Sequence, residues 1–409
     1  MTELLTLQPT DFANGGACIA RDAAERPIFV PFTIPGETVE VRLVEEKAHY
    51  AHAELVRVTA VSPDRVTPRC PHFGVCGGCQ FQHMGYAAQL AAKQQIVTDQ
   101  LQRIGGITAV PLSPILPHPQ PYGYRAETEL TPTPFGGLGY WSPRERQVIA
   151  IHDCPILQPD LLALWQDVDL DLPGLRKLTL RRGDDEALLA ALEIEDVEPP
   201  ELETDFPVSV AIVLPDQTSA TLVGDPYTVQ SAAGRDFRVS PGAYFFPSPA
   251  MLPAIIETVL RYAALTGAET VVDGYSGVGV LSAFLAPQAA SVTAIEINPD
   301  AVADTAVNLQ DADNVSLYEG WFEDVLPQLP RPDLLVVHPS EKGLSKGAMR
   351  AIGGQRPLRL IYVSSDVAIL ARDGKQLVQA GYRLKAIQPI DTAPQTYHLD
   401  TVSLWQREN

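Results

Sequence analysis

Apolar and polar positions alternate with a period of two through the first 60 residues, in the runs PIFVPFTI, TVEVRLV and AELVRV. Gly15-Gly16, Pro27 and Pro35-Gly36 interrupt them, and short alternating runs broken by Gly and Pro are strand-and-turn chemistry. The pattern predicts a small β-barrel over residues 1–59. The period then changes to that of a helix. MGYAAQLAAKQQIVTDQLQRIGG has apolar residues at helical spacing, strong helix formers between them and a Gly105-Gly106 stop, which predicts a helix over 84–106. The Pro-rich PLSPILPHPQPYGY, residues 111–124, reads as a linker, and residues 125–240 mix short strands with acidic turns. From about Pro249 helix and strand patterns alternate: AMLPAIIETVLRYAAL, then ETVVD, a Gly-rich turn, a second helix and SVTAIEI. Such alternation predicts a parallel sheet with helices on both faces.

A chain of 409 residues that is 45% apolar can bury a large core, and ordinary domain sizes then favour two or three domains over one. The expected division is 1–59, 60–240 and 241–409, with the helix 84–106 a candidate to pack on the third part. No internal repeat is seen. MTELLTLQPTDFANGG has neither a basic leader nor an apolar core, and no run of about 18 apolar residues occurs, so a cytoplasmic protein without membrane spans is expected.

Net charge is −20, which argues against loose electrostatic binding to a polyanion. The charge is unevenly spread. Residues 1–150 carry 12 basic and 14 acidic groups, residues 151–350 carry 11 and 31, and residues 351–409 carry 7 and 5. The densest acidic stretch, 167–205, is most simply a solvated face and an acidic loop. A nucleic-acid surface therefore has to be built from the two ends of the chain.

Two constellations carry chemistry. RCPHFGVCGGCQ places Cys70, Cys76 and Cys79 at C-x5-C-x2-C, and Cys154 follows in IHDCPIL. Four soft thiolates suit a [4Fe–4S] cluster or a zinc ion. Disulfides fit poorly, because the chain has five Cys and no secretory segment. The second constellation is the turn from Asp273 through Tyr275 and Gly277 to Gly279, where small residues let backbone approach a ligand at a strand's carboxyl end. Glu296 lies 23 residues after Asp273, at the end of the next strand, where a carboxylate can accept from ribose hydroxyls. Ser282 stands where a dinucleotide fingerprint has its third Gly, so S-adenosylmethionine (SAM) is a better candidate than NAD.

With these blocks in order, the chain resembles the RNA uracil-C5-methyltransferases along nearly its whole length. Gly15-Gly16 through PFTIPGETVEVRLVEEKAHYAHAELVRV looks like a TRAM domain, the family's OB-like RNA-binding barrel. The cysteine segment with Cys154 is similar to the family's central domain, which implies [4Fe–4S] rather than zinc. IYVSSDVAILARD, GYRLKAIQPID and PQTYHLD follow the family's order toward the C-terminus. The implied fold class is α/β multidomain: an OB-like barrel, an α+β central domain with the iron–sulfur site, and a Rossmann-like class I SAM-methyltransferase domain. The implied partner is RNA, ribosomal or transfer; no protein partner is inferable.

The departures are as informative. The family's nucleophile is a cysteine in a phrase close to YVSCNPATLARD, and the alignment puts Ser365 there. In the family reaction a thiolate adds to C6 of a flipped-out uracil, C5 attacks the SAM methyl, and a base removes the C5 proton. A thiol ionises near neutral pH, whereas an unactivated serine does not. The proposed proton acceptor, a Glu, corresponds to Asp400. The Asp-Pro-Pro-Arg phrase becomes His338-Pro339-Ser340-Glu341, Phe246 replaces a polar residue of the SAM pocket, the usual Cys of the Gly-rich turn is Ser276, and Val280 replaces an Asn. Tyr275, Gly277, Gly279 and Glu296 are retained for SAM. Other candidates are Phe81 and His83, for stacking on a base or capping the cluster, and Tyr124 and Arg125, for RNA contact or packing. Lys342, Lys346 and Arg350 are candidates for phosphate contact, and His398 and Arg372 for tying loops together. Cys18 reads as an ordinary buried residue. Three readings follow: a family methyltransferase whose standard chemistry is in doubt, an inactive RNA-binding scaffold or RNA-folding factor, and an iron–sulfur redox sensor.

Overall fold

In the computed structural model the described residues are 4–134, 136–168, 170, 172–195 and 207–407. The end of the acidic stretch, 196–205, falls outside them. Among the described residues no helix is long and apolar enough to cross a membrane.

The N-terminal alternation becomes a six-stranded sheet, in the order Leu5–Leu7, Thr38–Glu46, Ala51–Ala60, Pro27–Val30, Cys18–Arg21, Asp11–Phe12. Ile28, Val30, Val39, Val41, Ala51 and Ala53 point to one core. The intervening polar positions pair across strands on the other face, Glu40 with Arg57 and Arg42 with Glu54. A strand's period of two does both jobs at once. Residues 127–223 contribute a second, seven-stranded sheet. Against it packs the helix Pro159–Asp167, whose Leu161, Leu164 and Trp165 share a core with Cys154.

The C-terminal sheet has seven strands: β1 (Thr270–Gly274), β2 (Ser291–Glu296), β3 (Val315–Glu319), β4 (Leu334–Val337), β5 (Arg359–Ser364), β6 (Tyr382–Ile390) and β7 (Asp400–Arg407). Their order is β3-β2-β1-β4-β5-β7-β6. The first five are parallel, as the alternating pattern predicts. β7 runs antiparallel to both β5 and β6. No helix separates β6 from β7, and without a crossover the chain can return only antiparallel. β4, buried at all four positions, is the unbroken apolar run of a strand covered on both faces.

Two segments tie this sheet to the rest. The predicted helix is Tyr86–Arg103, and its Val97 and Leu101 enter the core formed by Leu335, Leu360 and Trp405. Gly106 just past its end takes the left-handed conformation (φ 69°) that closes a helix, and at Gly105 a Cβ would lie 2.6 Å from the Leu101 carbonyl oxygen. The Pro-rich segment is more than a linker. Leu112 and Leu116 bridge to Ile387 and Ile390 of β6, Ser113 N–H donates to the Ile387 carbonyl (3.0 Å), and Asp391 N–H donates to the Leu116 carbonyl (2.9 Å). β6 is an edge strand whose outward backbone groups need partners, and an extended, Pro-stiffened segment supplies them.

Candidate active site

The candidate residues of the sequence gather at the carboxyl ends of the parallel strands, where open α/β sheets hold their ligands. β1 ends in Asp273-Gly274 and runs into a turn with Tyr275, Gly277 and Gly279 at φ 63°, 55° and 87°. Gly279 is required twice over, by its φ and because a Cβ would lie 3.1 Å from both Leu309 and Thr305. Tyr275 stacks on Phe322 at 5.0 Å. Glu296 reaches back from β2: it accepts from Gly277 N–H (2.9 Å) and from Ile297 and Asn298 N–H (2.8 Å each). The backbone thus uses three of the roughly four acceptor positions of this carboxylate. Glu296 therefore braces the turn and retains about one acceptor site for a ligand donor.

Asp273 is fully buried. Ser282 Oγ donates to one of its oxygens at 2.7 Å, and the other oxygen has no partner, like the hydroxyl of Ser276 in the same turn. Burial pushes the Asp273 carboxyl up to about 7. Orphaned buried polar atoms are costly, so a turn that keeps two of them is a candidate for a polar ligand. Beside Glu296 stand three large exposed residues that sequence reasoning missed: Ile297 (37% exposed), Tyr318 (44%) and Trp321 (60%). Their signal is the phrase YEGW at the end of β3, a strand that the sequence reading had not marked.

At the end of β4 the side chains are aromatic. The Phe246 and His338 rings stack at 5.2 Å and 26°, and Tyr244 meets His338 edge-on at 6.5 Å. His338 N–H donates to the Gly274 carbonyl (3.2 Å), which fixes the end of β4 beside the turn. Desolvation lowers the His338 pKa to about 4, so the ring is neutral at pH 7. Tyr244 is 56% exposed, and burial of its hydroxyl together with the charges of Asp400 and Glu127 raises its pKa.

Ser365 follows β5 and is half-buried, just ahead of the helix Val367–Gln379 that Asp366 caps. The pairing of Ser364 with Thr401 sets Ser365 and Asp400 opposite one another at one end of the β5–β7 pair. No hydrogen bond among the described residues activates the Ser365 hydroxyl. Asp400 is buried, and burial raises it to about 6 against the opposing effects of Thr392 and Lys93. Lys93 itself is wholly buried: it pairs with Asp391 at 2.5 Å and donates to the Ala393 and His398 carbonyls.

Cys70, Cys76, Cys79 and Cys154, distant in sequence, line one cavity of about 20 Å³ with Gln82, Arg125 and Tyr140. All are free thiols. The loop is pressed against its neighbour, for a Cβ at Gly77 would lie 2.6 Å from the Trp141 carbonyl oxygen, and Gly78 N–H donates to Cys76 Sγ (3.3 Å). Burial pushes Cys79 up to about 12 and Cys154 to about 11. Among the described residues no set of three or more His, Cys, Asp or Glu closes around a single-ion position. Just past the cysteines, Gln80 and Phe81 N–H both donate to the Gln395 carbonyl (3.1 and 2.9 Å), in the loop that leads to Asp400.

Several sequence candidates take structural roles. Phe81 is fully buried, edge-on to Phe12 at 5.7 Å, and buried His83 bonds the Thr33 carbonyl at 3.2 Å; stacking of either on a base is ruled out by burial. Tyr124 is buried with its hydroxyl donating to the Pro394 carbonyl (3.0 Å). Arg125 lines the cysteine cavity. Arg372 ties Asp373 to the Lys342 carbonyl, and the His398 ring packs on Tyr397 at 4.0 Å. Cys18 is buried, its thiol donating to the Thr33 carbonyl. Lys346 and Arg350 line an open groove shared with Glu323 and Asp324, so their charge is locally offset.

The TRAM domain family model matches residues 6–56, the N-terminal sheet. An uncharacterized RNA methyltransferase of Halalkalibacterium halodurans is 32% identical over 98% of this chain and 96% of its own length. One from Nostoc sp. is likewise 32% identical, with the same coverage. Among solved structures, the Pyrococcus abyssi tRNA (uracil-54, C5)-methyltransferase, in complex with S-adenosyl-L-homocysteine, superposes with a TM-score of 0.71 over 98% of this chain and 99% of its own, at 21% identity. That likeness extends the shared fold to all three parts of the chain.

Proposed function

The chain belongs to the RNA methyltransferase family of these relatives, and from that premise we propose that it binds RNA and SAM without carrying out the covalent C5 methylation of uracil. The observation that carries this reading is Ser365. It occupies the position that the family resemblance assigns to the nucleophile, half-buried and with no base bonded to its hydroxyl. A serine without a base is not a nucleophile at neutral pH, and C6 of uracil then stays unattacked.

Retained SAM binding is supported by the turn. Tyr275, Gly277, Gly279 and Glu296 would hold the cofactor, and the unpartnered oxygens of Asp273 and Ser276 suit a ligand with polar hydrogens. When bound, SAM supplies an electrophilic methyl group. The aromatic side chains, Tyr244, Phe246 and His338, suit the face of a base, since stacking on aromatic rings contributes about 1–3 kcal/mol per base. Target RNA, ribosomal or transfer, is left to the experiment, and a cytoplasmic setting is part of the same reading.

The cysteine cavity does not close on one ion. Its donor set, four soft sulfurs with a backbone N–H on one of them, fits a [4Fe–4S] cluster, whose ligands stand further apart than those of a single metal. Cys70, Cys76, Cys79 and Cys154 would hold it as a structural brace for the loop 76–84. A redox-sensing role has no support beyond the thiols themselves.

A second reading keeps an enzyme. Asp400, poised at about 6 by burial, has the proton affinity of a general base near neutral pH, and could serve methyl transfer at an atom that needs no C6 adduct. One assay separates the two: labelled SAM, unmodified bulk RNA and anaerobically purified protein, with nucleoside mass analysis and parallel RNA- and SAM-binding titrations. The proposal expects binding of both with no label in RNA. Label in another nucleoside selects the second reading, and 5-methyluridine refutes the loss of covalent chemistry.

A further inference from the structure

We infer that Arg331 and Arg407, with Arg356 on the adjoining turn, form an anion site at the end of the C-terminal sheet remote from the carboxyl ends of its parallel strands, and that the phosphate backbone of bound RNA occupies it. This rests on the RNA-binding reading above and adds a second place of contact, far from Ser365 and Asp400.

The site is built by the sheet. Arg331 and Asp333 precede β4, Leu358 precedes β5, and Arg407 ends β7; with Pro332 they line a cavity of about 420 Å³. Arg407 N–H donates to the Leu358 carbonyl (3.0 Å), and the buried Tyr382 hydroxyl donates to the Pro357 carbonyl (2.8 Å). These bonds pin the turn at 356–358, where Arg356 sits exposed in the left-handed region at φ 52°.

In the N-terminal barrel Arg26, Arg42, Arg57 and Arg65 are each held in an ion pair. Among the described residues Arg331, Arg356 and Arg407 form none. Asp333, the carboxylate that lines the cavity, is turned to β1, where it accepts from the Thr270 N–H and hydroxyl at 2.9 Å each. On a chain of net charge −20, guanidinium groups that share one cavity and have no carboxylate partner among the described residues mark where a polyanion is tolerated, and their planar fork matches phosphate. Leu358, 45% exposed at the rim, offers apolar surface to a ribose or base. From Asp400 to Arg407 along β7 the span is about 23 Å at ~3.3 Å per residue, so the phosphates involved lie several nucleotides from one placed at Asp400.

The test compares the full-length protein with R331Q/R407Q and R331K/R407K, measuring affinity for one structured RNA transcript across a salt series. The lysine pair should keep the wild-type slope of log affinity against log salt, and the glutamine pair should flatten it by about 1–2, with affinity lowered roughly tenfold at low salt. Affinity for SAM and the thermal unfolding midpoint should be unchanged in both, which separates a lost contact from a lost fold. Coincident slopes for wild type and R331Q/R407Q overturn the inference and leave the RNA-binding reading intact. If slopes coincide while inorganic phosphate raises the unfolding midpoint of wild type only, the site takes a small anion and the RNA assignment fails. Absence of RNA binding by wild type overturns both readings together.

Discussion

Ser365 differs from the family nucleophile by one atom, oxygen for sulfur, and the difference matters because the unactivated hydroxyl holds its proton at neutral pH. Restoring the sulfur should not restore the reaction. Ser365→Cys alone is expected to leave 5-methyluridine undetected by nucleoside mass analysis, because the neutral His338 and apolar Phe246 still replace polar groups near the strand ends; strong methylation by that variant would show a site changed at one position only. Asp400 carries a second consequence. Its carboxyl is raised from 3.8 to about 6 by burial, so the folded state binds its proton more tightly than the unfolded state does. Protonated below about pH 4 in both states, it costs nothing there; above about pH 6 its buried charge is fully present, and stability falls as pH rises between the two. The effect is at most about 3 kcal/mol. Asp400→Asn should therefore shrink the difference in urea-unfolding free energy between pH 4 and pH 8, and an unchanged difference would mean that Asp400 titrates normally.

At the scale of elements, the helix Tyr86–Arg103 is the joint of the molecule, contributing Val97 and Leu101 to the apolar core of the C-terminal sheet and Lys93 to its polar interior. Lys93→Met strands Asp391 as a buried charge and should destabilise the protein by about 3–5 kcal/mol, read from urea unfolding. Lys93→Met with Asp391→Leu removes both charges and should recover much of that loss, since two apolar groups replace a desolvated pair. If the double variant is no more stable than the single one, the hydrogen bonds of Asp391 to Tyr86 and of Lys93 to the loop carbonyls matter more than charge pairing. The Pro-rich segment 111–124 teaches a related lesson. Its composition reads as a linker, but its unspent backbone groups lie against those of an edge strand, and pairing satisfies both.

For the whole molecule, the cysteine loop and the loop before Asp400 are one unit, joined through Gln80, Phe81 and Gln395. On the proposal that the four thiols hold a [4Fe–4S] cluster, Cys154→Ser, prepared anaerobically, is expected to carry less iron and acid-labile sulfide than wild type and to be more susceptible to limited proteolysis near residues 391–399; equal iron content would remove Cys154 from the ligand set. Much of this arrangement was legible from residues alone. Period-two runs gave the barrel strands and alternating patterns the parallel sheet, because burial of one face imposes that periodicity on any sequence that folds this way. The turn at Gly277 and Gly279 was visible as well, since a tight turn after a strand needs small residues and a positive φ, whatever surrounds it. The rest depended on groups far apart in the chain. No local pattern says that Asp400 lies across from Ser365, that Phe81 and His83 are sealed in a core, that Phe246 stacks on His338, or that Arg331 and Arg407 line one cavity at the end of a sheet. Local sequence determined which elements form and which residues can do chemistry; only tertiary structure decided which of those residues are buried, paired or brought together, because burial and charge act through space rather than along the chain.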